Sequence, residues 1–130
     1  MIYKIIIPGR PVPKGRPRWN KSTGAIYTPP ETKRYEKTVY IFAKSQMTKM
    51  LKGDVDVRIK VYTKRKMDID NVAKSILDGL IGAAFEDDKQ VKRLEIEMLD
   101  KVDEEQVIIE IGEIENDKKR NRKSKTMSDD

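Results

Sequence analysis

Asp54-Val55-Asp56-Val57-Arg58-Ile59-Lys60-Val61-Tyr62-Thr63 places an apolar side chain at every second position. Successive side chains of a strand point to opposite faces, so Val55, Val57, Ile59 and Val61 share one face and Asp56, Arg58, Lys60 and Tyr62 the other. That is a half-buried strand. Lys64-Arg65-Lys66 ends it, and the period then changes. Ala73, Ile76, Leu77, Leu80 and Ala84 recur at helical spacing and predict a helix from about Asn71 to Ala84. Gly79 and Gly82 weaken this helix or permit a close neighbour. A strand that runs into an amphipathic helix sets the class as α/β (α+β), and the rest of the chain reads outward from it.

Upstream, residues 2–7 are β-branched or aromatic apart from Lys4 and read as a first strand. Pro8, Pro11, Pro13 and Pro17 then exclude helix or central strand. Thr28-Pro29-Pro30-Glu31 reads as a helix start, with Thr28 as N-cap, Pro29 as first helical residue and Glu31 as the capping-box partner. Tyr35, Val39, Phe42, Gln46 and Met50 supply the buried stripe, and Gly53 the stop. Downstream, Leu94, Ile96 and Met98 alternate with Arg93, Glu95 and Glu97 as a third strand. Lys101–Glu105 forms a turn, and Val107, Ile109 and Ile111 form a fourth strand, expected to close an antiparallel C-terminal hairpin. The expected order is β-α-β-α-β-β: a small single domain over residues 1–115, with a mixed sheet of about four strands and two helices. Residues 116–130 carry almost nothing apolar and are expected to be a basic, disordered tail.

The chain has 130 residues with 28 Lys and Arg, 22 Asp and Glu, and neither histidine nor cysteine. Disulfides and thiolate metal sites are excluded, which fits a cytoplasmic protein. No stretch approaches the roughly 20 apolar residues of a membrane span, so no membrane partner is expected. The charge is segregated: residues 1–35 hold eight cations against one acid, residues 117–130 six against three, and residues 36–116 fourteen against eighteen. Basic flanks around an acidic centre suit a protein that grips a polyanion and holds a metal where it is cut. Excess lysine serving only solubility is the bland alternative.

The acids have their own pattern. Asp68-Ile69-Asp70-Asn71 is followed by Lys74 and Asp78, and Asp87-Asp88 lies beyond the helix. Asp68 and Asp70 sit two apart in what reads as extended chain, so both would point the same way. Asp70, or alternatively Asn71, would cap the second helix, and Asp70, Lys74 and Asp78 follow on one helical face. Asp78 reads either as a partner of Lys74 or as part of the acidic group. The returning loop must fold back for Asp88 to reach Asp70. With only oxygen ligands available, a bound metal would be a hard cation such as Mg²⁺ or Mn²⁺. Held there, it would polarise a scissile phosphate and acidify an attacking water, with Lys74 stabilising the charge that develops. Taken singly, Asp-x-Asp before a helix is often only a cap, and Asp-Asp a turn.

Grip is expected from Lys14, Arg16 and Arg18, alternating on a stiff segment and projecting to one side, and from Lys64, Arg65 and Lys66 directly before the acids. Trp19 would either stack on an unpaired base at a branch point or cap the core. The tail cluster Lys118-Lys119-Arg120 with Arg122, Lys123 and Lys125 would add nonspecific affinity.

Asp68-Ile69-Asp70-Asn71-Val72-Ala73-Lys74, Asp78-Gly79-Leu80 and Phe85-Glu86-Asp87-Asp88-Lys89-Gln90-Val91 together resemble the RusA family of Holliday junction resolvases. The family pattern has an Asp-x-Asp-Asn-x-x-Lys segment, an Asp-x-Leu in the same helix and an Asp-Asp-x-Gln turn. The basic, proline-rich front at residues 9–18 is also similar, and the likeness covers roughly residues 2–112. It implies a homodimer that binds four-way DNA junctions and nicks two opposed strands with Mg²⁺, or Mn²⁺ in its place, and no other small-molecule cofactor. It maps the catalytic carboxylates onto Asp68, Asp70 and Asp88, with Asp87 beside them as a supporting metal ligand, and the active-site lysine onto Lys74. The stretch before Asp87 is about one residue shorter than in some members, which leaves open whether Asp87 or Asp88 faces the metal; Asp88 is favoured. A branched-DNA nuclease of looser specificity and a non-catalytic junction-binding protein are the alternatives.

Overall fold

The computed structural model describes residues 2–100 and 102–114. Its elements are β1 (Ile2–Pro8), β2 (Arg18–Trp19), β3 (Ile26–Tyr27), α1 (Pro30–Gln46), β4 (Val55–Tyr62), α2 (Ile69–Leu80), a 3₁₀ turn at Asp88–Gln90, β5 (Val91–Leu99) and β6 (Gln106–Glu113). The four long strands form one mixed sheet in the order β1-β6-β4-β5, and β2 and β3 form a separate two-stranded ribbon.

β4 behaves as its alternation requires: Val55, Val57, Ile59 and Val61 are buried, between the matching buried positions Val107, Ile109 and Ile111 of β6 and the partly buried Ile96 and Met98 of β5. Leu94, expected in the same stripe, is exposed on this edge strand. Both helices cover this face. The opposite face carries charged rows across the strands, such as Lys4–Glu110–Arg58–Glu95, and is open.

The expected C-terminal hairpin does not form. β5 pairs in parallel with β4, and β6 instead lies antiparallel between β1 and β4. α2 is the crossover that returns the chain parallel to β4, as parallel neighbours require. β5 carries Lys92, Arg93, Glu95 and Glu97, which suit an edge strand. β6 buries Val107, Ile109 and Ile111 completely and takes the central place.

The start of α1 also differs. Pro29, not Thr28, is its N-cap residue, with φ −54° and ψ 142°, and no side chain caps it. A residue before proline is pushed out of the helical region, so Pro30 forces Pro29 to stay extended. The helix ends at Gln46 rather than near Gly53. Gln46 does not join the core stripe, where Ala43 is buried instead. Its amide accepts from Ile6 N and donates to Ile6 O, both at 2.9 Å, closing the outer edge of β1. α2 begins at Ile69 and stops at Leu80, and Gly82 (φ +87°) then turns the chain back, with Gly82 N donating to Phe85 O. Gly79 permits a close approach of the two helices: a Cβ there would lie 2.6 Å from Val39 Cβ and 2.7 Å from Glu36 O. Residues 115–130, including the expected basic tail, lie outside the described residues, as does Lys101 of the expected turn.

Candidate active site

Asp68 is the N-cap residue of α2, extended at φ −70° and ψ 121°, but its side chain makes no capping hydrogen bond. Asp70 already lies in the first helical turn, so the two are not on a shared extended segment as expected, and neither Asp70 nor Asn71 is the cap. Both carboxylates are exposed and lightly engaged: Asp70 Oδ1 accepts from Asn71 N at 3.0 Å, and Asp68 Oδ2 from Asn71 Nδ2 at 3.5 Å. Acid at the start of a helix is favoured by the unpaired N–H groups there. Lys74 is one turn on, exposed, and among the described residues enters no ion pair.

Asp78 does not pair with Lys74. Its Oδ2 lies 2.8 Å from Lys14 Nζ, which also binds Glu36 Oε2 of α1 at 2.7 Å. Partial burial disfavours the Lys14 charge, but the two carboxylates outweigh it and leave the ammonium pKa raised. The segment before the ribbon is fixed there: Lys14 N donates to Asn71 O, and Gly15 N to Thr32 Oγ1. The expected row of three cations is therefore broken up. Lys14 faces the α1–α2 seam, Arg18 Nη2 binds Glu31 at 2.8 Å, and Arg16 is exposed. Trp19 does not cap the core; it is exposed on the ribbon.

The turn at Asp87–Asp88 separates its two acids by role. Asp87 Oδ1 accepts from Lys89 N at 2.9 Å, and this bond holds its pKa below the usual carboxylate value. Asp88 has its pKa raised, first by its neighbour Asp87 and also by the negative charge of Asp78. Asp88 thus returns to the C-terminal half of α2, near Asp78. Gln90, a position to which sequence reasoning assigned no role, organises the turn. Its Oε1 accepts from Glu86 N and Asp87 N at 2.8 and 3.0 Å, and its Nε2 donates to Leu51 O and Gly53 O at 3.0 and 2.8 Å. One amide here satisfies four backbone groups from two segments, the sort of task that makes glutamine rather than glutamate necessary.

Lys64, Arg65 and Lys66 form an exposed loop between β4 and Asp68. Glu105 anchors its start: Oε2 accepts from Lys64 N at 2.9 Å and Thr63 Oγ1 at 2.8 Å, while the carboxylate also binds Arg10 Nε. The Lys64 N–H is the main cause of a lowered Glu105 pKa, with Thr63 and Arg10 adding to it.

No three of the carboxylates converge into a metal-binding group among the described residues. Their chemistry still suits a hard cation: all donors are oxygen, all are solvent-accessible, and the repulsion felt by Asp88 would be relieved by positive charge. Mg²⁺ in particular needs only one or two carboxylates when substrate phosphate and water complete its shell.

A family model described as Endodeoxyribonuclease RusA matches residues 8–112 of the chain, a span containing every site residue named above. Among curated proteins none matches the chain.

Proposed function

The chain belongs to the RusA endodeoxyribonuclease family, and from that premise we propose that it resolves four-way DNA junctions by paired hydrolysis, as a homodimer dependent on Mg²⁺ or Mn²⁺. The observation that carries the metal assignment is the division of labour at the Asp87–Asp88 turn. Asp87 Oδ1 is held by the Lys89 amide, which leaves Asp88 beside it as the solvent-exposed acid that the turn presents.

Asp68, Asp70 and Asp88 are the acids from which the metal's one or two carboxylate ligands would come, with Asp87 supporting the turn that presents Asp88. The metal supplies polarisation of the scissile phosphate and activation of water. Lys74, one turn beyond Asp70 and without an ion-pair partner among the described residues, would place a positive charge where the phosphate gains negative charge during attack. Lys64, Arg65 and Lys66 precede these acids in the chain and would hold the DNA backbone on the approach to them, and Arg16 would add a further phosphate contact. Two-fold symmetry of the protein would match the two opposed strands of a junction.

The test compares a synthetic four-way junction with a linear duplex, each in Mg²⁺, Mn²⁺ or EDTA, for wild type and Asp70→Asn. Symmetric paired nicks confined to the junction, abolished by EDTA and reduced about 100-fold or more in the variant, are expected. Equal cutting of both substrates would indicate a nuclease of looser specificity. Tight junction binding with no cutting in any metal would indicate a non-catalytic binder and sink the proposal.

A further inference from the structure

Trp19 and Ile26 are directly opposed on the β2–β3 ribbon, and direct partners on adjacent strands present their side chains to the same face. Trp19 is 68% exposed and Ile26 75%. Isolated exposed apolar residues need no explanation, but two large ones side by side on a small ribbon form an apolar patch that none of the described residues buries. The ribbon is not a loose loop. Asn20 N donates to Ala25 O, Gly24 N to Asn20 O, and the Asn20 side chain accepts from Ser22 N and Thr23 N. Gly24 sits at φ +76°, a turn conformation that most side chains avoid. The Arg18 guanidinium ties the ribbon to Glu31 at the start of α1.

An open cleft of about 450 Å³ lies between Pro17, Arg18, Trp19, Gly24 and Ile26. The segment around it is rich in cations: from Arg10 to Pro30 the chain carries five and no acid. Although Arg18 is bound to Glu31 and Lys14 to Asp78 and Glu36, Arg16 is exposed. An apolar, partly aromatic surface on a cation-rich segment complements a flat ring flanked by phosphates. Base pairs within a duplex keep their faces stacked and have none to offer, whereas a branch point can expose one.

We propose that the Trp19–Ile26 face of the ribbon stacks against a base exposed at the DNA branch point, and so discriminates a junction from a continuous duplex. The idea rests on the nuclease reading above and gives that reaction a specificity element outside the acidic site. Trp19 is the protein's single tryptophan, so its fluorescence reports on this face alone.

The experiment titrates the full chain in EDTA with a four-way junction or a linear duplex of the same arm sequence, following Trp19 emission and affinity. Wild type is compared with Trp19→Ala, Trp19→Phe and Ile26→Ala. The expected result is quenching of Trp19 by the junction well beyond that by the duplex, and loss of about tenfold of the junction-over-duplex preference in Trp19→Ala, largely recovered in Trp19→Phe. Equal Trp19 responses to the two DNAs, or an undiminished preference in Trp19→Ala, would overturn the assignment. So would Trp19 becoming shielded in free protein as its concentration rises, which would identify the face as a contact between copies. If wild type cuts junctions in Mg²⁺ while Trp19 stays silent, the ribbon assignment alone fails; if wild type neither binds nor cuts junctions, both readings fail.

Discussion

The ammonium of Lys14 lies 2.8 Å from the Asp78 carboxylate and joins it to Glu36, so a residue of the basic front is committed to the seam between the two helices. Arg16, two positions on, is exposed. Cations that contact phosphate release counterions and add to the salt dependence of binding, whereas cations neutralised within the protein do not. Arg16→Gln is therefore expected to reduce the slope of log K against log salt for DNA by about 0.9, and Lys14→Gln to leave it near the wild-type value. Lys14→Gln should instead lower stability by about 1 kcal/mol, the modest figure suited to a partly exposed ion pair. Affinity measured across a salt series, with denaturant melts of both variants, checks the contrast; equal slope losses would return Lys14 to the phosphate-binding group.

Gly79 offers a test in which two effects have opposite signs. Replacing a mid-helix glycine with alanine ordinarily stabilises a helix by about 1 kcal/mol. Here the added methyl would fall 2.6 Å from Val39 Cβ and 2.7 Å from Glu36 O, one of which is backbone and cannot move aside cheaply. Gly79→Ala is expected to destabilise by about 1–3 kcal/mol, as overpacking does. A gain in melting temperature would show that α1 and α2 can separate at this point.

These two helices also mark how far the sequence could be read. The alternation of β4 and the stripe of α2 were legible because each repeats over enough positions to define a period. The α1 start was misplaced by one residue because the capping motif and the Pro29-Pro30 restriction compete, and the steric restriction wins. Alternation announces β5 and β6 as strands but carries no information about which strand each one pairs with, so the hairpin expectation failed. β2 and β3 are two residues each, too short for any period. Their signal was the turn-forming run Asn20 to Gly24 between Trp19 and Ile26. At the candidate site spacing marks the acids but not their mutual placement. The pairing of Asp78 with Lys14 and the bonds of Gln90 to Leu51 O and Gly53 O are tertiary facts that no local pattern contains. The bond of Gln90 to Asp87 N, by contrast, belongs to a capping box that the spacing of Asp87 and Gln90 could have announced.

Gln90 leads to a prediction about activity rather than folding alone. Its amide joins the Asp87–Asp88 turn to Leu51 and Gly53. Gln90→Ala would remove four hydrogen bonds, three of them at exposed positions where water can replace the amide, at a net cost of about 1 kcal/mol. Because Asp88 is carried on this turn, misplacement of about 1 Å would reduce junction cleavage by about 100-fold. Gln90→Glu should also be impaired, since a carboxylate cannot donate to Leu51 O and Gly53 O. Single-turnover cleavage beside junction affinity in EDTA separates the effects: the rate should fall while affinity changes little. Wild-type rates in Gln90→Glu would remove the positioning role.

Glu105 sets a pH dependence whose sign follows from its partners. The Lys64 N–H, opposed slightly by burial and aided by Thr63 and Arg10, holds its folded pKa below the ordinary 4.5. A group whose pKa is depressed on folding contributes stability above its unfolded pKa and loses that contribution as the pH falls through the folded value. The stability gap between wild type and Glu105→Gln should therefore be fully present well above the ordinary 4.5 and shrink as the pH falls below it through the folded pKa, beneath which both side chains are neutral. Chemical denaturation of the two proteins at several pH values measures it directly. A gap of constant size would mean that Glu105 acts through hydrogen-bond geometry alone. The same variant should weaken DNA binding at neutral pH, because the Lys64–Lys66 loop takes its starting position from this carboxylate.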